Sequence, residues 1–505
     1  MPHATGTFET RIANERRISF ATPLHIPFPF SASSPSMGAS SSRSAMSADN
    51  STGASIAAYE LSSALSQSFS EINLQGNLSQ QFKQLLQRLD QEASKYTNSQ
   101  VDDQKSTEWN PSKSEIDLVG FAWDCAHNTY KTKSGKISQP PIESAHEPQM
   151  RFQNTSPSIE DNYDKDLYTV REEEVRQDCF AGTVKAITAT VIERTGSDDI
   201  NELMPVLVIS IRGSASKMDH IVNANSDPKN AGSYIHGTSD IKAHSGFLNS
   251  ALALDSAVAT MIDTYPPKFK VRSGQKPHVV FTGHSAGGAV AQLLYLHHIS
   301  HPDLSESARF SCVTFGAPPC LSSHIDLSLY QSSEKTICVN IINEFDVVTR
   351  ADKPYILSLV DIVRSTLDLP PKNQVSDSAT DEETIYAALK ATDAKESRLS
   401  YEFEGLDIDQ SNFWRLPQSL YHHVGPRAVL LMRLVDGEMS LKTVEVTPFA
   451  FQKLLFCRVA VHGKRIYAER VKTLQQGRFN GRLGWEQDGD GEGKASLLSG
   501  SSTVY

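Results

Sequence analysis

A serine flanked by glycines stands where a predicted strand meets a predicted helix. The sequence Gly-His-Ser-Ala-Gly occupies residues 283–287, directly after the apolar run His-Val-Val-Phe-Thr and directly before Gly-Ala-Val-Ala, which opens a helical pattern. A serine at so sharp a turn needs small residues two positions before and two positions after it. The start of the helix also places positive partial charge beside the serine. The pattern therefore predicts Ser285 as a nucleophile, with Gly283, His284 and Gly287 forming the nucleophile elbow.

A serine hydroxyl needs a base, and that base needs an acid to orient it. In open parallel sheets, active-site groups lie at the carboxyl ends of strands. Asp346 follows the apolar run Ile-Cys-Val-Asn-Ile-Ile and is the predicted acid. Glu344 is the nearest alternative, and Asp352 and Asp361 lie further from the strand end.

His462 is the predicted base, and two other histidines remain alternatives. It lies on a loop between an apolar run and a helical pattern, from which a ring can reach the serine. His422 and His423 precede a strand-like run. A histidine at the start of a parallel strand lies at the opposite edge of the sheet, whereas before an antiparallel strand it could lie at the active edge.

A serine that attacks a carbonyl group also needs two hydrogen-bond donors for the oxyanion that forms. The backbone N–H of Ala286, the residue after the nucleophile, is the first predicted donor. The second is expected on a loop after an earlier strand. Ser214 follows the apolar run Leu-Val-Ile-Ser-Ile and fits with both its N–H and its hydroxyl. These two residues form the predicted oxyanion hole.

Apolar, strand-like runs alternate with helical patterns from about residue 180 onwards. Such alternation predicts an α/β fold, with a mostly parallel central sheet covered by helices on both faces. The chain order serine, acid, histidine is that of the α/β-hydrolase fold. The strand-like runs occupy residues 182–195, 203–214, 278–288, 309–319 and 336–346, and the main helical patterns between them occupy residues 246–263 and 289–299.

The 505 residues exceed what one compact core usually absorbs, so we expect extensions around a single large domain. Residues 1–56 are rich in Ser, Ala and Pro and are expected to be disordered. The other predicted parts are a helical N-terminal extension at 57–150, the α/β-hydrolase domain at 151–480 with an acidic surface insertion at 362–412, and a flexible tail at 481–505.

The composition excludes several classes of function. The formal net charge of -11 argues against a nucleic-acid partner, which requires a basic face. The six cysteines have neither the dense spacing of a disulfide framework nor the paired spacing of a zinc site, so buried free thiols are expected.

No targeting or membrane signal stands out in the sequence. Prolines interrupt the apolar stretch near the N-terminus, so a secretory signal peptide is not expected. No run reaches the roughly 18 apolar residues that a membrane helix needs. The expected location is cytoplasmic, with mitochondrial targeting as the minor alternative because the start is rich in Arg and Ser.

Five motifs together resemble the class 3 lipase family, which contains fungal triacylglycerol lipases and their intracellular relatives. The resemblance is strong over about residues 180–350 and looser up to about 475. The motifs are Arg212-Gly213-Ser214 with Asp219 shortly after, His244 through Phe247, Gly283 through Gly288, Phe315 through Pro318, and Asn343 through Asp346.

The resemblance implies a Ser-Asp-His triad at Ser285, Asp346 and His462, and an oxyanion donor at Ser214. His423 begins a His-Val-Gly element similar to a non-catalytic one in plant phospholipase-like members, which favours His462 as the base. The substrates that the family implies are acylglycerols and phospholipids.

The sequence therefore predicts a serine esterase or lipase that hydrolyses carboxylic esters of lipids through an acyl-enzyme intermediate. No metal or organic cofactor is implied. A lipid ester substrate is compatible with peripheral contact with a membrane or a lipid droplet. The alternative is a catalytically weak or inactive lipase-like regulatory or binding module, whose N-terminal helices would recruit a protein partner.

Overall fold

A computed structural model of the chain describes its central part and leaves several segments undescribed. Apart from short internal gaps, the described residues are 72–130, 152–153, 168–175, 186–194, 202–213, 227–265, 274–330, 335–370, 413–485 and 495–497. All of them belong to one compact unit, Asp49–Tyr505. The predicted disordered segment at 1–56 and most of the predicted insertion at 362–412 lie outside the described residues.

Ten strands form one twisted central sheet, and four further strands form two small antiparallel sheets. The strands of the central sheet are β1 (Thr107–Glu108), β2 (Phe152–Gln153), β3 (Tyr168–Val175), β4 (Ala186–Arg194), β5 (Val206–Arg212), β8 (His278–His284), β9 (Arg309–Phe315), β10 (Cys338–Asn343), β11 (Val429–Leu434) and β12 (Leu441–Val446). The small sheets pair β6 (Pro228–Asn230) with β7 (Lys242–His244), and β13 (Arg482–Trp485) with β14 (Ala495–Leu497).

The order in the central sheet is β1-β12-β11-β10-β9-β8-β5-β4-β3-β2. The five central strands β5, β8, β9, β10 and β11 are parallel to one another. On either side of this group the sheet continues antiparallel, with β4 next to β5 and β12 next to β11. Every residue of β8 and β9 is buried, as expected for strands that are covered on both faces. The predicted α/β-hydrolase fold is confirmed, with a parallel centre and antiparallel edges.

Eight α-helices surround the sheet in the described part of the chain. They are α1 (Leu78–Ala93), α2 (Lys113–Asn128), α3 (Ser245–Thr264), α4 (Ala286–Ser300), α5 (Pro302–Ser307), α6 (Lys353–Ser365), α7 (Pro448–Gln452) and α8 (Lys464–Gln475). Helices α3 and α4 contribute to the core on one face of the sheet, and α2 and α8 contribute to the core on the other. None of these helices is both long and apolar enough to cross a membrane.

Helix α2 is part of the hydrolase core, although the sequence assigns it to a separate extension. Ser112 caps its first turn in a capping box with Glu115, in which each side chain accepts from the backbone N–H of the other residue. Its apolar side chains, among them Phe121 and Trp123, are buried against the sheet and α8. A segment that contributes this much buried surface belongs to the same folding unit as the sheet.

Two boundaries differ from those expected. Residue 362, the predicted start of the surface insertion, lies inside α6, where Ile362 and Val363 are fully buried. The region predicted as a flexible tail contains β13 and β14, and Trp485 in this hairpin packs against Phe479. In both places a polar stretch dominates the local composition and suggests a loop or tail. The apolar side chains beside that stretch nevertheless pack on the domain.

Strands β11 and β12 are consecutive in the chain, and the Asp436-Gly437 pair between them is typical of a hairpin turn. Strands β11 and β12 pair antiparallel from Val429 with Val446 to Leu434 with Leu441. The turn itself lies outside the described residues. The five described cysteines are free thiols, and Cys179 lies outside the described part.

Candidate active site

Ser285 lies at the strained turn between β8 and α4. Its backbone has φ 61° and ψ -134°, a left-handed conformation that costs a non-glycine residue about 1–3 kcal/mol. A Cβ atom on Gly287 would lie 2.1 Å from the carbonyl oxygen of Ile211, and one on Gly283 would lie 2.5 Å from the backbone of Gly287. The two predicted glycines therefore allow the helix to approach the sheet, and the serine points out of the turn.

The imidazole of His462 lies against the Ser285 hydroxyl. Ser285 Oγ and His462 Nε2 are 2.9 Å apart. His462 ends a short 3-10 turn just before α8, and the ring is buried. The ring of His284 stacks on it at 4.8 Å between centroids, and His284 Nε2 donates to the carbonyl of His462 over 3.1 Å. The elbow residue His284 thus helps to fix the position of the His462 ring.

Asp346 holds the other side of the imidazole. Its Oδ2 accepts from His462 Nδ1 over 2.8 Å, and the carboxylate is fully buried. Its Oδ1 accepts the N–H of Val348 over 3.0 Å, because Asp346 caps the 3-10 turn that follows β10. With the proton on Nδ1, the Nε2 atom of His462 is free to accept the serine proton.

Tyr467 completes this chain of hydrogen bonds, and the sequence patterns did not single it out. Its hydroxyl donates to Asp346 Oδ2 over 2.8 Å and accepts the N–H of Asn343 over 3.1 Å. Burial and the neighbouring Asp346 carboxylate raise the pKa of Tyr467, so the phenol stays protonated as a donor. In the sequence, Tyr467 reads as an ordinary core position of the helical pattern after His462.

The alternative bases are used elsewhere. His423 Nε2 donates to the carbonyl of Thr349 over 2.9 Å, and His422 Nδ1 bonds the side-chain amide of Gln452. Burial lowers the pKa of each ring to about 4, so both rings are neutral near pH 7. Neither ring contacts Ser285 in the described structure.

The alternative acids are also bound to other groups. Glu344 accepts the N–H of Val101, and Asp352 caps α6 by accepting the N–H of Tyr355 over 2.9 Å. Asp361 lies 3.8 Å from the Arg364 guanidinium. The structure brings Ser285, His462 and Asp346 together and places these other carboxylates in structural contacts.

The predicted oxyanion hole is only partly described. Ala286 is the first residue of α4, so its N–H has no acceptor within the helix. Ser214 lies outside the described residues, which end at Gly213 on this loop. Gly213 approaches the elbow closely, since a Cβ there would lie 2.8 Å from the N atom of Gly287 and 2.9 Å from the carbonyl oxygen of His284.

Aromatic side chains from α2 and its C-terminal end form the wall beside the elbow. Trp123 stacks on Tyr467 and meets the His284 ring edge-on, at 5.8 and 5.9 Å between centroids. The Tyr130 hydroxyl donates to the carbonyl of His284 over 3.3 Å, and a Cβ on Gly213 would lie 3.2 Å from the same hydroxyl. Burial raises the pKa of Tyr130, which keeps this donor protonated.

This arrangement has the geometry that nucleophilic acyl transfer requires. A buried hydroxyl bonded to an imidazole, itself bonded to a buried carboxylate, matches the geometry that general-base activation of a serine requires. Among the described residues no group of histidine, cysteine or acidic side chains is placed to hold a metal ion.

The central segment of the chain matches a known family. Residues 208–355, which include Ser285 and Asp346, match the family model described as lipase (class 3). This match confirms, for this segment, the resemblance to the class 3 lipase family that was inferred from the motifs.

Two curated proteins from Arabidopsis thaliana are similar to parts of the chain. Protein EDS1 is 35% identical over 111 residues, which are 20% of this chain and 17% of that protein. Protein EDS1L is 38% identical over 80 residues, which are 15% of this chain and 12% of that protein. The chain thus spans less than a fifth of the length of either relative.

Solved lipase structures are also similar. Lip2 lipase from Yarrowia lipolytica has 18% identity and a TM-score of 0.32, covering 48% of this chain and 75% of that one. The mono- and diacylglycerol lipase from Aspergillus oryzae has 14% identity and a TM-score of 0.36, covering 72% of this chain and 100% of that one. Neither likeness bears on what this chain acts on.

Proposed function

We propose that the protein is a serine esterase or lipase that hydrolyses carboxylic esters of lipids, either acylglycerols or phospholipids, through an acyl-enzyme intermediate. The observation that carries the proposal is the unbroken chain of hydrogen bonds from Ser285 Oγ to His462 Nε2, at 2.9 Å, and from His462 Nδ1 to Asp346 Oδ2, at 2.8 Å. The match of residues 208–355 to the class 3 lipase model supports a lipid ester as the substrate.

In the first half-reaction, Ser285 Oγ attacks the ester carbonyl and His462 takes the serine proton. The carbonyl oxygen becomes an oxyanion, which the N–H of Ala286 and the proposed donor Ser214 stabilise. The tetrahedral intermediate collapses, His462 returns the proton to the departing alcohol, and the acyl group remains on Ser285. Asp346 keeps the imidazole in the required tautomer and stabilises its charged form.

Water completes the cycle. His462 takes a proton from a water molecule, whose oxygen attacks the acyl-enzyme carbonyl. The second tetrahedral intermediate releases the carboxylic acid, and Ser285 regains its proton from His462. The net change is one ester and one water converted into one acid and one alcohol, with no cofactor.

The test combines a fluorophosphonate probe with a panel of lipid esters of varied chain length. The wild-type protein should be labelled at Ser285, and Ser285→Ala and His462→Ala should each lower kcat by about 10⁴-fold or more. His423→Ala is the matched control, because its ring bonds the Thr349 carbonyl instead of Ser285. It should remain largely active.

Three results would count against the proposal. A folded wild-type protein that resists the probe and hydrolyses no ester would favour the alternative, a lipase-like binding or regulatory module. Loss of turnover in His423→Ala with turnover kept in His462→Ala would reverse the assignment of the base. Labelling at a serine other than Ser285 would move the nucleophile.

A further inference from the structure

Two cationic side chains flank the aromatic ring of Tyr130 beside the elbow. Lys464 Nζ lies 3.9 Å from the ring centroid, and Arg212 Cζ lies 5.6 Å from it. Arg212 is the last residue of β5, and Lys464 is the first residue of α8, two positions after His462. Both side chains are partly exposed.

Neither cation forms an ion pair with an acidic side chain in the described part of the chain. The buried Nε of Arg212 has no hydrogen-bond partner. Burial, and then the charge of Arg212, lower the pKa of Lys464, and no carboxylate opposes that shift. Other described cations do have acidic partners, such as Arg465 with Glu469 and Arg458 with Asp90.

Two neighbouring like charges without an acidic partner among the described residues repel each other, which is unfavourable. Contact with the Tyr130 ring offsets only part of this cost, since a cation–π contact contributes about 0.5–2 kcal/mol. An arginine and a lysine together offer the forked and the rotatable donors that suit a phosphate group. The pair therefore has the charge and the donors of an anion site.

The position of the pair ties it to the proposed reaction centre. Tyr130, which both cations contact, donates to the carbonyl of His284, and its hydroxyl would lie 3.2 Å from a Cβ on Gly213. His284 directly precedes Ser285, and Gly213 directly precedes the proposed oxyanion donor Ser214. An anionic group held by Arg212 and Lys464 would thus belong to a substrate whose ester lies at Ser285.

We propose that Arg212 and Lys464 form a recognition site for a phosphate group on the substrate, so that the enzyme prefers lipid esters whose alcohol part carries a phosphate over neutral ones. This inference rests on the proposed ester hydrolysis at Ser285. The chemical step is unchanged: water adds across the carboxylic ester, the acid leaves, and the phosphate stays on the released alcohol. The two cations bind and orient, and they take no part in bond breaking.

The experiment compares two water-soluble esters below their aggregation concentrations, dihexanoylglycerol phosphate and dihexanoylglycerol. Monomeric substrates remove the effect of surface charge on a vesicle. The wild-type protein should have the higher kcat/KM for the phosphate ester. Lys464→Gln should lower the ratio of the two kcat/KM values by about tenfold, mainly through KM for the phosphate ester, and Lys464→Arg should restore most of it.

Arg465→Gln is the matched control. It removes the same charge from the adjacent position, but Arg465 points to Glu469 on the exposed face of α8. The substrate ratio should stay within about twofold of wild type. Lys464 is the better position for this test than Arg212. Gly213, the residue after Arg212, packs tightly against the elbow, so a change at Arg212 could disturb the elbow itself.

The outcomes separate the two proposals. If wild-type protein hydrolyses the neutral ester but Lys464→Gln leaves the ratio unchanged, or Arg465→Gln lowers it equally, the phosphate site is overturned while the hydrolase stands. If neither ester is hydrolysed, the proposed function itself fails. Inorganic phosphate that raises Tm without any preference for the phosphate ester would show an anion site unrelated to substrate, which also overturns the inference.

Discussion

At the scale of single residues, the Asp346 carboxylate is fixed by three hydrogen-bond donors. They are the N–H of Val348, the imidazole of His462 and the hydroxyl of Tyr467. A carboxylate with this many donors has one orientation, and so has the imidazole that it holds. We therefore predict that Tyr467 is a positioning residue that acts through Asp346.

Tyr467→Phe removes one of these donors and leaves the N–H of Asn343 without its acceptor. We expect kcat to fall about tenfold with KM within twofold of wild type, because orientation of the base is impaired while substrate contacts remain. The free energy of unfolding should fall by about 1–3 kcal/mol. Steady-state kinetics and denaturant titration measure both effects.

Tyr355→Phe is the control for that prediction. The Tyr355 hydroxyl is as deeply buried and makes two hydrogen bonds with the backbone of Phe456, but it does not contact Asp346. It should lose a comparable amount of stability and keep its kcat. An equal fall of kcat in both variants would show that Tyr467 acts only through general stability.

At the scale of elements, helix α2 packs beside the cluster formed by Ser285, His462 and Asp346. Trp123 contacts the rings of Tyr467, His284 and Phe315 at once, with centroids 5.0 to 5.9 Å apart. The helix therefore provides the wall against which the positioning residues pack. Removal of α2 would therefore be expected to disturb the packing around His284 and Tyr467.

Trp123→Ala should lower the free energy of unfolding by about 3–5 kcal/mol. It should also lower kcat per active site, because Tyr467 and His284 lose their shared neighbour. Counting active sites by fluorophosphonate titration separates lost turnover from lost folded protein.

Trp414→Ala serves as the comparison, since Trp414 is buried in a different cluster, against Tyr96 and the Ser358 hydroxyl. It should be similarly destabilised and keep kcat per titrated site. If kcat of Trp414→Ala also falls, or if kcat of Trp123→Ala does not fall, then Trp123 has no specific effect on the site.

Sequence patterns predicted what is local in this fold. The elbow at Ser285, the strand ends before Gly213 and Asp346, and the helix after the serine each follow from a few adjacent residues. The partnership of Trp123 with Tyr467 does not, because it joins segments far apart in the chain. Neither residue has a pattern that distinguishes it from ordinary core.

The misplaced boundaries have a similar origin. The polar, Pro-marked stretch after residue 370 suggested an insertion that begins at 362, yet the apolar spacing of α6 continues to Ser365. The pairing of β1 with β12 also depends on residues distant in sequence, and a two-residue strand has no recognisable pattern of its own. Tertiary packing decides such short elements.

At the scale of the whole molecule, buried neutral histidines make stability depend on pH. Burial lowers the pKa of His278 and His298 to about 3, and that of His423 to about 4. The charge of a nearby arginine lowers the pKa of His278 and His423 further. In the unfolded chain these groups titrate near 6.5. As pH falls below about 6.5 the unfolded state binds protons that the folded state does not, so stability is lost towards acid and is fully present above that value.

We expect the free energy of unfolding to decrease steadily from pH 7 to pH 5, by up to about 1.4 kcal/mol per pH unit for each such histidine. His298 contacts the rings of Phe281 and Phe310, at 5.1 and 5.2 Å between centroids. His298→Phe should reduce the slope below pH 6 by about one histidine's share. Denaturant titrations at several pH values give this slope.

Phe310→Leu is the control within the same cluster. It removes packing without removing a titratable group, so it should lower stability by a similar amount at every pH. A slope in His298→Phe equal to that of wild type would show that His298 does not contribute to acid sensitivity.

His462, the proposed base, lies 177 residues after Ser285, the proposed nucleophile. During synthesis on the ribosome, the hydroxyl and its elbow are translated long before this imidazole. A nascent chain that ends before residue 462 would therefore lack the proposed base and could not form the proposed acyl-enzyme. The proposed hydrolysis would begin only once the segment that carries His462 has packed beside Ser285.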